Sequence, residues 1–189
     1  MKALLSKEQY REIYDILDRA EVLDFDCGTL CGATCCTSSR EYSEEDMGIY
    51  LLPGEEQLHL EDNDWMDIRI SRAEDHDLPD SWEGDVYFVR CKTPPVCPRE
   101  KRPIQCRTFP LAPHIDDDGS LTMIYNDLEL PYECPLIEEE TPLNDEYVDS
   151  VTEAWARLIQ DPLIYDLVKM DSEARERSFD ELMNKLGLI

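Results

Sequence analysis

Glycine is scarce in this chain, with seven in 189 residues, and none of them falls in a GxGxxG or Walker pattern. Nucleotide binding through a glycine-rich phosphate loop therefore has no support in the sequence. Long apolar runs are missing as well. MKALLSKEQY offers only Ala3–Leu5 before charge resumes, far short of a secretory signal core, and nothing approaches the ~18 apolar residues of a membrane span. These absences lead to the expectation of a cytoplasmic protein without membrane association, in a compartment that keeps thiols reduced. Basic residues are few: 18 against 44 acidic ones, for a net charge of −26. Such a surface repels phosphate backbones and anionic lipid, so neither nucleic acid nor membrane is expected as a partner, while an unidentified protein partner stays open. The three histidines, His59, His76 and His114, lack paired metal-ligand spacing and are expected at the surface or in a hairpin; His114, near Cys106, is the one able to replace a sulfur ligand.

What the chain does contain is cysteine. There are eight: Cys27, Cys31, Cys35, Cys36, Cys91, Cys97, Cys106 and Cys134. Residues 27–36 read CGTLCGATCC, four thiols in ten positions. In a reducing compartment such a concentration favours metal ligation over disulfides. A zinc–sulfur bond is about 2.3 Å long, so ligands must converge on a small volume. Gly28, Gly32, Ala33 and Thr34 leave the backbone room to curl around such a point and turn N–H groups toward sulfur. Adjacent cysteines are expected to point apart, so Cys35 and Cys36 would serve different sites, or one of them would be a reserve or packing residue.

The only concentration of positive charge lies beside later cysteines. Arg90, Lys92, Arg99, Lys101, Arg102 and Arg107 fall between residues 90 and 107, opposed there by Glu100 alone. A four-thiolate site holding zinc or an oxidised 4Fe–4S cluster carries about −2, which a cationic belt offsets. Arg102 and Arg107 are the candidates for contacting such a cofactor from outside its ligand set. Cys27, Cys31, Cys35 and Cys106 are the first choice for one four-thiolate site; Cys36, Cys91, Cys97 and Cys134 can supply a second. Cys134, in YECPL, equally suits an ordinary buried thiol.

Around these residues the pattern predicts an α+β fold. Residues 6–20 read as an amphipathic helix, with Ser6 and Gln9 as a capping box and Tyr10, Ile13, Tyr14 and Leu17 along one face. Short strands are expected at 49–52, 65–70 and 86–89, and a proline-rich extended segment at 93–113. His114–Ile115 and Leu121–Tyr125 flank DDDGS as a hairpin; an EF-hand would need alternating acids and a distal Glu. The stripe Tyr147, Val148, Val151, Ala154, Trp155, Leu158 and Ile159 predicts a core helix ending at Asp161-Pro162. There Asp161 caps a new helix, and a last one is expected from Ser178, paired with Glu181, to Gly187. The expected organisation is a cysteine-cluster metal-binding domain over residues 1–140, with a helical extension over 141–189 packed on it.

CGTLCGATCC, VRCKTPPVC and RPIQCRTFPL together resemble the YkgJ-like cysteine-cluster family, whose domain is described as zinc- or iron-chelating. The likeness covers roughly residues 27–134. It includes the closing motif Arg102-Pro103-Ile104-Gln105-Cys106-Arg107-Thr108-Phe109-Pro110 and, at 51–55, the LLPGE of the family's middle segment. Acidic inserts near 61–83 and 115–120 and the helical tail depart from it. The resemblance implies Cys27, Cys31, Cys35, Cys36, Cys97 and Cys106 as ligands, with Cys91 and Cys134 next. Flagellin lysine methylases hold iron and sulfur in a similar cluster, which tilts the expected cofactor to 4Fe–4S over zinc. The expected function is a metal-binding protein holding an iron–sulfur cluster in a redox, maturation or protein-modification role. The alternatives are a structural zinc-binding interaction module without catalysis and an enzyme modifying lysine residues. Radical S-adenosylmethionine chemistry is disfavoured, because the gap from Cys31 to Cys35 is one residue longer than in Cys-x3-Cys-x2-Cys.

Overall fold

Helix α1, Lys7–Leu17, begins where the sequence says it should. The Ser6 hydroxyl accepts the Gln9 N–H at 3.3 Å and the Gln9 side chain accepts the Ser6 N–H at 2.9 Å, closing the capping box. The computed structural model describes residues 2–37, 47–61, 64–96, 98–126, 130, 132–139 and 141–186. Cys97 and Gly187, both singled out above, lie outside the described residues.

After α1 come a helical turn α2, Gly28–Cys31, a short strand β1, Ile49–Tyr50, and a second turn α3, Glu56–His59. Strands β2, Met66–Arg72, and β3, Asp85–Cys91, complete an antiparallel sheet in the order β1-β3-β2, with Val89 opposite both Ile49 and Ile68. The segment expected to be merely extended contains a helical turn, Arg99–Lys101, and a short helix α4, Ile104–Thr108. Pro103 sits just before α4, where its missing N–H costs no helical hydrogen bond, so the RPIQCR motif starts a helix rather than blocking one. The predicted hairpin forms from β4, Leu111–Ile115, and β5, Leu121–Tyr125, with Ile115 opposite Leu121.

A short α5, Pro135–Glu138, leads to two longer helices, α6, Asp145–Leu158, and α7, Pro162–Leu186. Ser178 does not start a separate helix. It lies inside α7 and its hydroxyl donates to the Ala174 carbonyl at 3.0 Å, so a serine followed by Glu181 mimics a cap within a continuous helix. The mixed helix-and-sheet composition fits the α+β expectation. No helix among the described residues is long and apolar enough to cross a membrane.

The main core joins both ends of the chain. Tyr10, Ile13, Tyr14 and Leu17 of α1 pack with Tyr147, Val151, Ala154, Trp155 and Leu158 of α6, and with Leu52, Ile104, Ile115, Ile164 and Val168. Burying side chains of this size contributes about 1.5–3 kcal/mol each. Asp161 locks the arrangement. Its carboxylate, 1% exposed, accepts the N–H groups of Leu4 (2.5 Å) and Leu5 (3.0 Å) through Oδ2 and that of Leu163 (3.0 Å) through Oδ1. One side chain thus caps α7 and holds the segment leading into α1.

Candidate functional site

The cysteine-rich segment folds as a tight spiral. Cys27 caps α2, Cys31 ends it, and the chain then passes through two successive left-handed residues, Gly32 (φ 67°) and Ala33 (φ 57°). Glycine takes that conformation freely, whereas a residue with a Cβ is held there only at a cost of about 1 kcal/mol or more. The reversal is closed by the Ala33 N–H donating to Gly28 O (2.9 Å) and the Cys36 N–H to Ala33 O (2.8 Å). It brings the Cys35 and Cys36 sulfurs to 3.8 Å from each other. The expectation that these neighbours point apart is overturned: the chain turns through residues 33–37, the Cys36 and Thr37 N–H groups both donating to Ala33 O, and lacks the alternation an extended chain would impose.

Six thiols from three parts of the chain share one neighbourhood. Cys27 feels the charge of Cys31 and Cys134, Cys35 that of Cys27, Cys36 and Cys106, and Cys134 that of Cys31. The Tyr132 hydroxyl, raised first by burial, responds to Cys35, Cys134, Cys106 and Cys36. The division into two sets of four therefore does not follow the geometry, since Cys36 and Cys134 lie with Cys27, Cys31, Cys35 and Cys106. Cys134 is buried against Leu23 and Leu136, with Cys27, Phe109 and Tyr132 packed beside them. Cys91 stands at the end of β3, half-buried and opposite Met66. Among the described residues no three His, Cys, Asp or Glu side chains are closed around a point that could hold an ion.

The donor set nevertheless suits a thiophilic metal. Burial comes first, then Asp26 and the neighbouring thiols, in pushing the Cys27 proton affinity up; burial also leads for Cys134. Cys35 is exposed as a residue, yet its sulfur contact with Cys36, with burial of the sulfur behind it, raises the thiol strongly. The raised proton affinities of Cys27, Cys35 and Cys134 disfavour their thiolates in the absence of a positive charge; a cation is what lets several neighbouring thiols ionise together.

The basic belt divides. Arg102 acts on Cys27 and Asp26 as a favourable positive charge. Arg99 is committed to Glu21 (2.7 Å) and Asp26 (2.6 Å), and Lys92 reaches Asp67 at 3.8 Å. Asp26 also accepts the Gly28 N–H (3.0 Å), and that bond is the main reason its carboxyl stays ionised below the usual range. Arg107 is nearly buried, its side chain 6% exposed: Nε donates to Arg102 O (2.8 Å), Nη1 to Asp18 (2.5 Å), and the guanidinium lies 4.4 Å from the Tyr14 ring centre. Its Nη2 is buried with no hydrogen-bond partner among the described residues, leaving one donor for a further acceptor.

Beneath the thiols lies a polar network that sequence reasoning missed. Glu55, the last residue of LLPGE, has no exposed surface. It accepts the Tyr14 hydroxyl (2.6 Å), the Ile104 N–H (2.7 Å) and the Leu52 N–H (3.0 Å). Burial first, and then Glu55, push the Tyr14 hydroxyl far above its ordinary range, so it remains a donor. His59, expected at the surface, is 2% exposed, with Nε2 2.9 Å from the Tyr14 hydroxyl and the ring edge-on to Trp65. Through Ile104 the network fixes the start of α4, and hence the helix that carries Cys106 and Arg107. His76 is also drawn inward, with Nε2 2.6 Å from the Ser71 hydroxyl, whereas His114 sits in the hairpin near Asp116 and Glu176 as expected.

Compared with family models, with curated proteins and with solved structures, the chain gives no match. The reading of the site therefore rests on its own residues.

Proposed function

We propose that this chain is a metal-binding protein whose clustered thiols hold an iron–sulfur cluster, 4Fe–4S in the first instance, in a redox, maturation or protein-modification role. The observation that carries this reading is the gathering of Cys27, Cys31, Cys35, Cys36, Cys106 and Cys134 into one electrostatically coupled group beside an apolar wall. Such a cluster takes four thiolates, gains from low solvent access, and is tuned by hydrogen bonds to its sulfurs. Arg102 supports the anionic centre by its charge, and Arg107, next to Cys106 in α4, holds a buried Nη2 without a partner among the described residues. When bound, the cluster would supply one-electron chemistry or rigidity; the chain's own residues hold it, shield it and set its charge balance.

A second reading is a single structural zinc ion in an interaction module. It is favoured by the 3.8 Å between the Cys35 and Cys36 sulfurs. Two thiolates bound to one tetrahedral zinc at about 2.3 Å stand about 3.8 Å apart, whereas sulfurs on different irons of a cluster are farther separated. Purification without oxygen decides between them. A brown protein with broad absorbance near ~400 nm and about four irons and four sulfides per chain supports the cluster. A colourless protein with stoichiometric zinc supports the second reading, and oxygen-free material containing neither metal removes both.

A further inference from the structure

Beside α4, lined by its Gln105, lies an open cavity of about 570 Å³, within the size range of small-ligand sites. Its walls come from the β-sheet, from the loop after the helical turn Ala73–Asp75, from Gln105 of α4, and from Leu167 and Asp171 of α7. Four aromatic rings face it: Tyr50, His76, Trp82 and Phe88. They are not stacked. The Tyr50 ring meets the Phe88 ring edge-on at 5.0 Å and 66°, and the His76 ring at 5.5 Å and 72°. These edge-to-face contacts hold the three rings together in the lining. Two carboxylates, Asp77 and Asp171, share the lining, and among the described residues no Lys or Arg does.

The arrangement is held by contacts that serve no evident purpose in the core. The Gln105 side-chain amide donates to the Tyr50 carbonyl at 2.9 Å, and the Ser71–His76 hydrogen bond fixes the imidazole. Gly48 allows the closest approach: a Cβ there would fall 2.4 Å from the Phe88 ring, so only glycine lets the backbone lie against it. The ring also already binds a cation. The Arg69 guanidinium stands 4.7 Å from its centre, which takes one face of Phe88 and leaves Tyr50, His76 and Trp82.

We propose that this cavity binds an organic ammonium ion, with aromatic faces around the cation and the Asp77 and Asp171 carboxylates as its counter-charge. Aromatic faces attract cations through their quadrupoles, and the attraction is strongest for weakly hydrated alkylammonium groups, which lose little on leaving water. Asp171 fits the role. It reaches solvent, yet desolvation of its carboxyl raises its proton affinity, and Arg175 offsets this only in part; an incoming cation would relieve the strain. The same chemistry reaches the site from a free amine or from a methylated lysine side chain. The proposal stands independently of the metal reading.

Calorimetric titration of the full chain at pH 8 tests it with three probes: choline, its neutral isostere 3,3-dimethylbutan-1-ol, and a short peptide bearing one trimethyllysine. Choline should bind saturably and about tenfold or more tightly than the isostere, as a cation–aromatic contact requires. Equal binding of the neutral compound, or no saturable choline binding at tens of millimolar, overturns the proposal. The peptide binding more tightly than choline assigns the ligand to a protein side chain; choline binding as tightly or better assigns it to a free amine. Tyr50→Leu, at a residue 44% exposed, should weaken choline about fivefold or more while Tyr50→Phe stays within about twofold. Asp171→Asn should weaken it while leaving the isostere unchanged. Unchanged choline binding in both Tyr50→Leu and Asp171→Asn would place the ligand elsewhere and sink the site.

Discussion

The core around Glu55 and the thiol neighbourhood above it are joined by a single short helix, α4, and are built on opposite principles. In the core every group that carries the design has its partner: Glu55 accepts three hydrogen bonds, Asp161 three, and the Tyr147 hydroxyl lies within hydrogen-bond reach of the carbonyls of Arg107, Thr108 and Phe109. In the thiol region the Cys27, Cys35 and Cys134 thiols carry raised proton affinities, Ala33 holds a left-handed backbone, and Arg107 keeps a buried donor without a partner among the described residues. The buried carboxylates of the core find their partners within the fold, although the Trp155 Nε1 there has none among the described residues; the thiol region gathers groups whose partners the fold does not supply. The difference separates residues that make the fold from residues that the fold makes available.

That contrast can be broken most forcefully at Glu55. Glu55→Ala strands the buried Leu52 and Ile104 N–H groups and leaves the Tyr14 hydroxyl with His59 alone, and should lower stability by about 3–5 kcal/mol, read as a shift in the urea midpoint. Asp161→Ala removes a helix cap and frees the Leu4 and Leu5 amides, with an expected loss of about 2–3 kcal/mol in the same experiment. Tyr147→Phe keeps the ring in the core and deletes only its hydroxyl, so about 1–2 kcal/mol should be lost. Cys106→Ser belongs to the other side of the comparison. In chelator-treated protein it should change stability by no more than about 0.5 kcal/mol, while in untreated protein it should reduce the bound metal measured by elemental analysis. A large loss for Cys106→Ser without metal, or a small one for Glu55→Ala, would erase the distinction between the two regions.

Reading the sequence found what periodicity and capping announce. The Tyr10, Ile13, Tyr14 and Leu17 stripe, the Ser6–Gln9 box and the Asp161-Pro162 junction all carry signals confined to a few neighbouring residues, and each is where expected. Glu55 carried no such signal. A glutamate after Pro-Gly reads as a solvated turn, and its burial depends on Tyr14 and Ile104, which lie 41 and 49 positions away. The same holds for His59, whose partners are likewise remote in the chain. Helix α4 was hidden by the surrounding prolines, and the Ser178 cap was a local pattern overruled by the continuity of α7. At the candidate site the thiols themselves were plain from their number, but the direction of Cys35 and Cys36 was set by a turn through residues 33–37 that composition does not reveal.

The clamp at Asp161 has a consequence for how the chain is made. The amides it secures lie 157 and 156 positions earlier, so that tie cannot form until Asp161 has left the ribosome. The helices α1 and α6, which pack together in the same core, are likewise separated by most of the chain. During synthesis the early cysteines at 27–36 would therefore emerge well ahead of Asp161 and α6, with their thiols open to reaction before the tie that closes the core can form.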